Sequence, residues 1–221
     1  PVMIPATPLR ILLVLVLLSI APPWGGVNAG VGAAPPPVRI AVLGDSLAAG
    51  YGLDLADAFP AQLGRALVAR GHGVEVLNHG VSGDTSAGGR QRVEWMLRDH
   101  PTVVIVELGA NDALRGLDPG QLEANLDAIL ASVKKAGVAP LLAGMRAPRN
   151  LGADYAERFD AVYPRLAARH GVGLYPFFLE GVAGVAELNQ RDGLHPNARG
   201  VARIVAGILP AVEEVLAAAG Q

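Results

Sequence analysis

Short runs of consecutive apolar, often β-branched residues alternate along this chain with longer stretches in which apolar positions recur every three or four residues. The short runs, at 38–43, 74–78, 103–108, 139–144 and 172–175, are predominantly apolar rather than strictly alternating, with Arg39, Glu75, Asn78 and Glu107 the charged or amide exceptions. That is the pattern of parallel strands covered on both faces. The longer stretches, at 57–70, 85–98, 119–136, 153–169 and 197–218, predict helices. In the third of them Leu122, Leu126, Ile129 and Val133 fall on one helical face. Asp118 before Pro119 predicts an N-cap with proline at the first helical position, and Gly71 and Gly137 stand where C-caps would be. Strand and helix in strict alternation build βαβ units, so the expected fold is an α/β domain: a five-stranded parallel sheet between helical layers. Such a sheet binds ligands at the carboxyl ends of its strands, where the winding reverses. Polar residues that follow strands therefore carry the functional question.

The first 37 residues break this pattern. Arg10 precedes the apolar run 11–20, and small residues in A-x-A-like spacing follow, as at Val27 and Ala29 or Gly32 and Ala34. This predicts a secretory signal peptide over 1–29, a Pro/Gly/Ala-rich linker over 30–37 and one folded domain over 38–221. The run is shorter than the roughly 20 apolar residues of a membrane-spanning helix. The expectation is a periplasmic or secreted protein without a stable membrane span once the signal is removed; a retained anchor is the alternative. The 221 residues, 51% of them hydrophobic, suffice for one domain with a sizeable core. A formal charge of −2 with no Lys/Arg run argues against nucleic acid as a partner. With no cysteine there is no disulfide, no thiolate nucleophile and no cysteine-ligated metal. A monomer is expected.

Four polar groups deserve a chemical reading. Gly44-Asp45-Ser46-Leu47 follows the first strand and precedes a helical stretch. A serine there reads either as an N-cap or as a nucleophile whose own N–H faces a developing negative charge. With Ala48 in place of a second glycine it is not the G-x-S-x-G elbow. Val81-Ser82-Gly83-Asp84-Thr85-Ser86 follows the second strand, and Gly83 reads as a turn glycine or as backbone that approaches a ligand. Gly109-Ala110-Asn111-Asp112 follows the third, and the Asn111 amide could cap a turn or donate to an oxyanion. Asp192-Gly193-Leu194-His195-Pro196 precedes the last helix; the spacing lets the carboxylate reach the imidazole on one tight loop and fix its tautomer. The same pair could be half a metal site, but no further His/Asp/Glu cluster at ligand spacing accompanies it, so no metal or other cofactor is expected.

Taken together and in this order, G-D-S-L, the glycine of S-G-D-T-S, G-x-N-D and D-x-x-H-P resemble the signature blocks of the SGNH (GDSL) hydrolases, spread over 38–200. The stretches G-D-S-L-A-A-G-Y at 44–51, V-E-L-G-A-N-D-A-L-R-G-L at 106–117 and P-F-F-L-E at 176–180 resemble the bacterial thioesterase I/protease I/lysophospholipase L1 and arylesterase group. The resemblance implies a flavodoxin-like three-layer α/β/α sandwich, no metal, and broad activity on small-molecule acyl esters, thioesters and lysophospholipids. It implies Ser46 as nucleophile, His195 as base and Asp192 orienting that base, with the Ser46 and Gly83 N–H groups and the Asn111 amide holding the oxyanion. Substrate contacts are expected from Asp45, from Leu114 and Leu117, and from Arg146 and Pro148 in the loop 145–151. A carbohydrate or peptidoglycan O-acetylesterase of the same fold is the rival activity, and a non-catalytic binding module the rival class. An aromatic content of only 5% disfavours sugar binding.

Overall fold

Parallel pairing in the order β2-β1-β3-β4-β5 defines the sheet of this chain, whose computed structural model describes residues 2–3 and 37–220. Nearly all of the expected signal peptide and linker lies outside the described residues. The strands are β1 (Val38–Gly44), β2 (Val74–Gly80), β3 (Val103–Glu107), β4 (Ala139–Ala143) and β5 (Gly173–Tyr175). The helices are α1 (Ser46–Ala49), α2 (Phe59–Ala69), α3 (Ser86–Met96), α4 (Ala110–Leu114), α5 (Pro119–Lys135), α6 (Ala153–Asp160), α7 (Val162–His170) and α8 (Ala198–Ala219). Helices α2 and α8 pack on one another, while α5 packs on α3 and α7, giving a helical layer on each side of the sheet. The architecture is the three-layer α/β/α sandwich with the strand order of flavodoxin-like folds.

From β1 the chain winds outward to β2, then crosses back over β1 to lay down β3, β4 and β5. The reversal falls between β1 and β3, whose carboxyl ends meet in register at Gly44 and Glu107. Most of β1 and β4 and all of β3 are buried, as predominantly apolar runs predict. The edge strands differ. β2 reads V-E-V-L-N-H-G and is largely half-exposed, and β5 has only three residues, none of them buried. With a neighbour on one side only, an edge strand tolerates the polar Glu75, Asn78 and His79 that a central strand would not.

One local expectation needs correction. The helix expected over 153–169 divides at Ala161 into α6 and α7. Pro164 explains the break: inside a continuous helix its ring would clash with the carbonyl four residues back, whereas the first turn of α7 needs no N–H from it. Asp118 is the N-cap residue of α5 with Pro119 at the helix start, as expected, and its side chain accepts from Arg158 at 2.9 Å rather than from the helix backbone. Among the described residues no helix is long and apolar enough to cross a membrane.

Candidate active site

Three loops that leave the carboxyl ends of β1, β3 and β5 bring the predicted residues together at the winding reversal. After β1 the chain turns at once into α1, with Asp45 as N-cap: its Oδ1 accepts the Leu47 N–H at 2.9 Å. Ser46 is thereby the first residue of the short helix, and its hydroxyl is free for other partners. The turn is possible only with glycine at 44, because a Cβ there would lie 2.4 Å from Glu107 Oε2 and 2.5 Å from the Ala48 Cβ.

His195 Nε2 lies 3.0 Å from Ser46 Oγ, and Nδ1 lies 2.7 Å from Asp192 Oδ2. The other Asp192 oxygen accepts the N–H groups of Leu194 (2.9 Å) and His195 (3.0 Å). These bonds, led by the His195 N–H and ring and then the Leu194 N–H, pull the Asp192 carboxyl down to about 2. An ionised carboxylate can only accept, so Nδ1 carries the proton and Nε2 presents its lone pair to the Ser46 hydroxyl. The loop is stitched to its surroundings by Gln190, whose N–H donates to the His195 carbonyl at 2.7 Å and whose side chain donates to the carbonyls of Tyr51 (2.7 Å) and Pro196 (3.0 Å). The Tyr51 ring packs over the imidazole, with centroids 4.6 Å apart.

Asn111, on α4, donates Nδ2–H to Asp45 Oδ2 at 3.1 Å. That leaves the second amide hydrogen free to face outward. Asp45 itself is completely buried, and burial pushes its carboxyl up to about 6 against the pull of Leu47 and Asn111. Beneath it Glu107, also completely buried, accepts the Asp45 N–H at 3.2 Å. Burial, reinforced by the Asp45 charge, raises Glu107 well above the usual carboxylate range, and its Oε1 has no partner among the described residues. Two buried carboxyls this close oppose each other's ionisation.

Gly83 sits in the loop after β2 in a left-handed conformation, φ +81°, and its carbonyl accepts from Arg115 at 2.7 Å. This loop is tied to α4 through Asp112, which accepts both the N–H (2.8 Å) and the hydroxyl (2.5 Å) of Ser86. Asp84, next to Gly83, accepts from Arg92 Nε at 2.7 Å. Neither the Ser46 nor the Gly83 N–H has a hydrogen-bond partner among the described residues.

A cavity of about 510 Å³ opens over Ser46, Asn111 and His195, within the ordinary range for small-molecule sites. Its walls are mainly apolar, from Leu114, Met145, Ala147, Phe177 and Leu179. Arg146 and Pro148 also line it, with the Arg146 guanidinium 4.7 Å from the centre of the Phe177 ring. Two expected substrate contacts do not reach the wall. Asp45 is sealed beneath the turn it caps, and Leu117 lies off the cavity, where its carbonyl accepts from Tyr155. Phe177 and Leu179 fall in the 176–180 stretch that carries the resemblance, but their place on the cavity wall, like Ala183 and the loop ties from Gln190 and Arg92, has no signal in the sequence pattern. Among the described residues no group of three or more His, Asp or Glu side chains gathers as metal ligands would.

Residues 42–203 match the family model described as "GDSL-like Lipase/Acylhydrolase family". The chain is 40% identical over 176 residues to the esterase TesA of Pseudomonas aeruginosa, covering 79% of this chain and 88% of that protein. It is 45% identical over 157 residues to the thioesterase 1/protease 1/lysophospholipase L1 of Escherichia coli, covering 71% and 74%. Among solved structures, a crystal structure of TesA superimposes with a TM-score of 0.77 at 39% identity, covering 80% of this chain and 99% of that one. A psychrotrophic esterase EstA from Pseudoalteromonas sp., inhibited by monoethylphosphonate, matches with a TM-score of 0.77 at 31% identity, covering 80% and 98%. The chain belongs to the GDSL-like lipase/acylhydrolase family.

Proposed function

We propose that this acylhydrolase is a serine esterase that cleaves acyl esters and thioesters through Ser46, His195 and Asp192, with the Ser46 and Gly83 N–H groups and the Asn111 amide as the oxyanion hole. The observation that carries this reading is the unbroken line from Asp192 through His195 to Ser46, at 2.7 and 3.0 Å, opening into an apolar cavity. His195 Nε2 takes the Ser46 proton as Oγ bonds to the acyl carbon. The carbonyl oxygen becomes an oxyanion facing the unpartnered N–H groups. Collapse expels the alkoxide or thiolate, which leaves with the proton returned by His195. Water then repeats the sequence on the acyl-enzyme with His195 again as base. Asp192 holds the tautomer and stabilises the imidazolium. The names of the relatives, esterase, arylesterase and thioesterase/lysophospholipase, support substrates of this class. The N-terminal sequence, with Arg10 before an apolar run and small residues after it, supports action outside the cytoplasm.

The test is a series of p-nitrophenyl and acyl-thioester substrates of increasing chain length, with a fluorinated alkylphosphonate as active-site label. Stoichiometric labelling at Ser46 that abolishes hydrolysis of both series is expected; a labelled protein that still hydrolyses them would end the reading. Leu114, half-exposed and on the cavity wall, is expected to touch the acyl chain. Leu114→Asp should lower kcat/KM for long chains by about tenfold and leave acetyl esters nearly unchanged, since each buried methylene is worth about 0.8 kcal/mol. An unaltered chain-length profile would remove Leu114 from the acyl site.

A further inference from the structure

We propose, resting on the reading of Ser46 and Gly83 above, that Arg92 is a positioning residue that sets the spacing of the two backbone donors of the oxyanion hole. Arg92 projects from α3, and its side chain is only 18% exposed. Nη2 donates to the Gly44 carbonyl at 2.7 Å, Nη1 to the His79 carbonyl at 2.5 Å, and Nε to Asp84 Oδ2 at 2.7 Å. One planar group thus grips the end of β1 two residues before Ser46, the end of β2, and the residue beside Gly83.

The sheet alone does not fix this distance. The β1–β2 ladder ends at Gly44 and Gly80, and the next tie is the Val81 N–H to the same Gly44 carbonyl at 3.0 Å. Beyond Val81 the chain turns through Gly83, with the Asp84 N–H returning only to the Val81 carbonyl. The Arg115 bond to the Gly83 carbonyl and the Asp112 bonds to Ser86 hold this turn to α4, not to β1, so neither fixes its distance from Ser46 along the sheet. The Asp84–Arg92 bond ties the far side of the turn to the same carbonyl that precedes the nucleophile. Asp84 is itself only 13% exposed, so the pair is held with both charges largely out of water. Such a pair contributes little net stability and is better explained by the geometry it imposes. The guanidinium is also the nearby cation that opposes the rise of the Glu107 carboxyl.

Because the donors act on the transition state, the proposal predicts a loss in kcat rather than in binding. Arg92→Met should lower kcat on a short aryl ester by about tenfold or more, with KM within about threefold, as for partial loss of an oxyanion donor. Affinity for an alkyl trifluoromethyl ketone, which forms the tetrahedral adduct, should fall in parallel, while inhibition by the product carboxylate stays unchanged. Arg92→Lys should recover only part of the loss, because an ammonium cannot hold three acceptors in a fork. Asp84→Asn should lose part of what Arg92→Met loses, and the double variant should be no worse than Arg92→Met alone. A kcat for Arg92→Met within twofold of the parent, or equal weakening of ketone and product, overturns the proposal. Should Arg92→Met fail to fold, Asp84→Asn with parental kcat and ketone affinity overturns it as well. Ser46→Ala keeps the two readings apart: if that variant is dead while Arg92→Met is normal, only the clamp falls; if it stays active, both do.

Discussion

Replacing Ser46 by Ala should cut kcat for ester hydrolysis on the order of a million-fold, to background, while leaving the fold intact. Removing the nucleophile of a comparable serine hydrolase costs about that much, because the remaining groups act only in concert with it. The structure explains why stability should survive. The N-cap of α1 is Asp45, not Ser46, and the Ser46 hydroxyl bonds His195 rather than backbone. Had Ser46 been the cap, alanine would cost about 0.5–2 kcal/mol of stability and little activity. The expected pattern is the reverse: a thermal midpoint within a degree or two of the parent and no turnover of p-nitrophenyl butyrate. Turnover above one per cent of the parental rate, in protein freshly purified and free of contaminating esterase, would remove Ser46 from the nucleophile's role.

How far the site was legible follows from how local each contact is. Asp192 and His195 are three residues apart and meet on one loop, so spacing alone predicts their bond. Ser46 and Asn111 follow strands that alternation places at the winding reversal, so topology predicts their approach. Glu107 was invisible to the same logic. Within the run expected over 103–108 it is a lone carboxylate with no partner near it in sequence, yet pairing with Gly44 sets it under the turn that carries Ser46. Arg92 reads as an ordinary helix charge, since its three acceptors lie 8, 13 and 48 residues away and only the folded sheet gathers them. The cavity wall was legible in part. Leu114 and the loop through Arg146 and Pro148 line the cavity, whereas Leu117, three residues past Leu114, has turned away as the chain leaves α4. Helix boundaries suffered most where proline intervened, and Pro164 acted against the apolar periodicity on either side of it.

Asn111 and Asp45 offer the second large effect and a sharper test, because one variant deletes a donor and the other reverses it. Asn111→Ala should lower kcat by about 10²–10³, some 2.7–4 kcal/mol in the barrier, with little change in KM. Asp45→Asn keeps size and shape but should do at least as much damage. The Leu47 N–H needs an acceptor, so the new amide must keep its oxygen there and turn its NH2 toward Asn111. Asn111 can then satisfy that donor only by flipping its amide, which replaces the NH2 that would face the oxyanion with the carbonyl oxygen. Stability should move the other way. Folding raises the Asp45 carboxyl from its ordinary 3.8 to about 6. A carboxyl raised in this way holds its proton longer in the folded than in the unfolded chain, so its cost to the fold appears as pH rises through 3.8 and is complete above about 6. Asp45→Asn removes that cost, on the order of a few kcal/mol. Urea unfolding should therefore find Asp45→Asn about as stable as the parent at pH 4 and more stable at pH 7, while kcat at pH 7 collapses. A variant that turns over within threefold of the parent would show that Asp45 does not orient the Asn111 amide. A kcat loss accompanied by falling stability at pH 7 would instead point to damage of the turn itself.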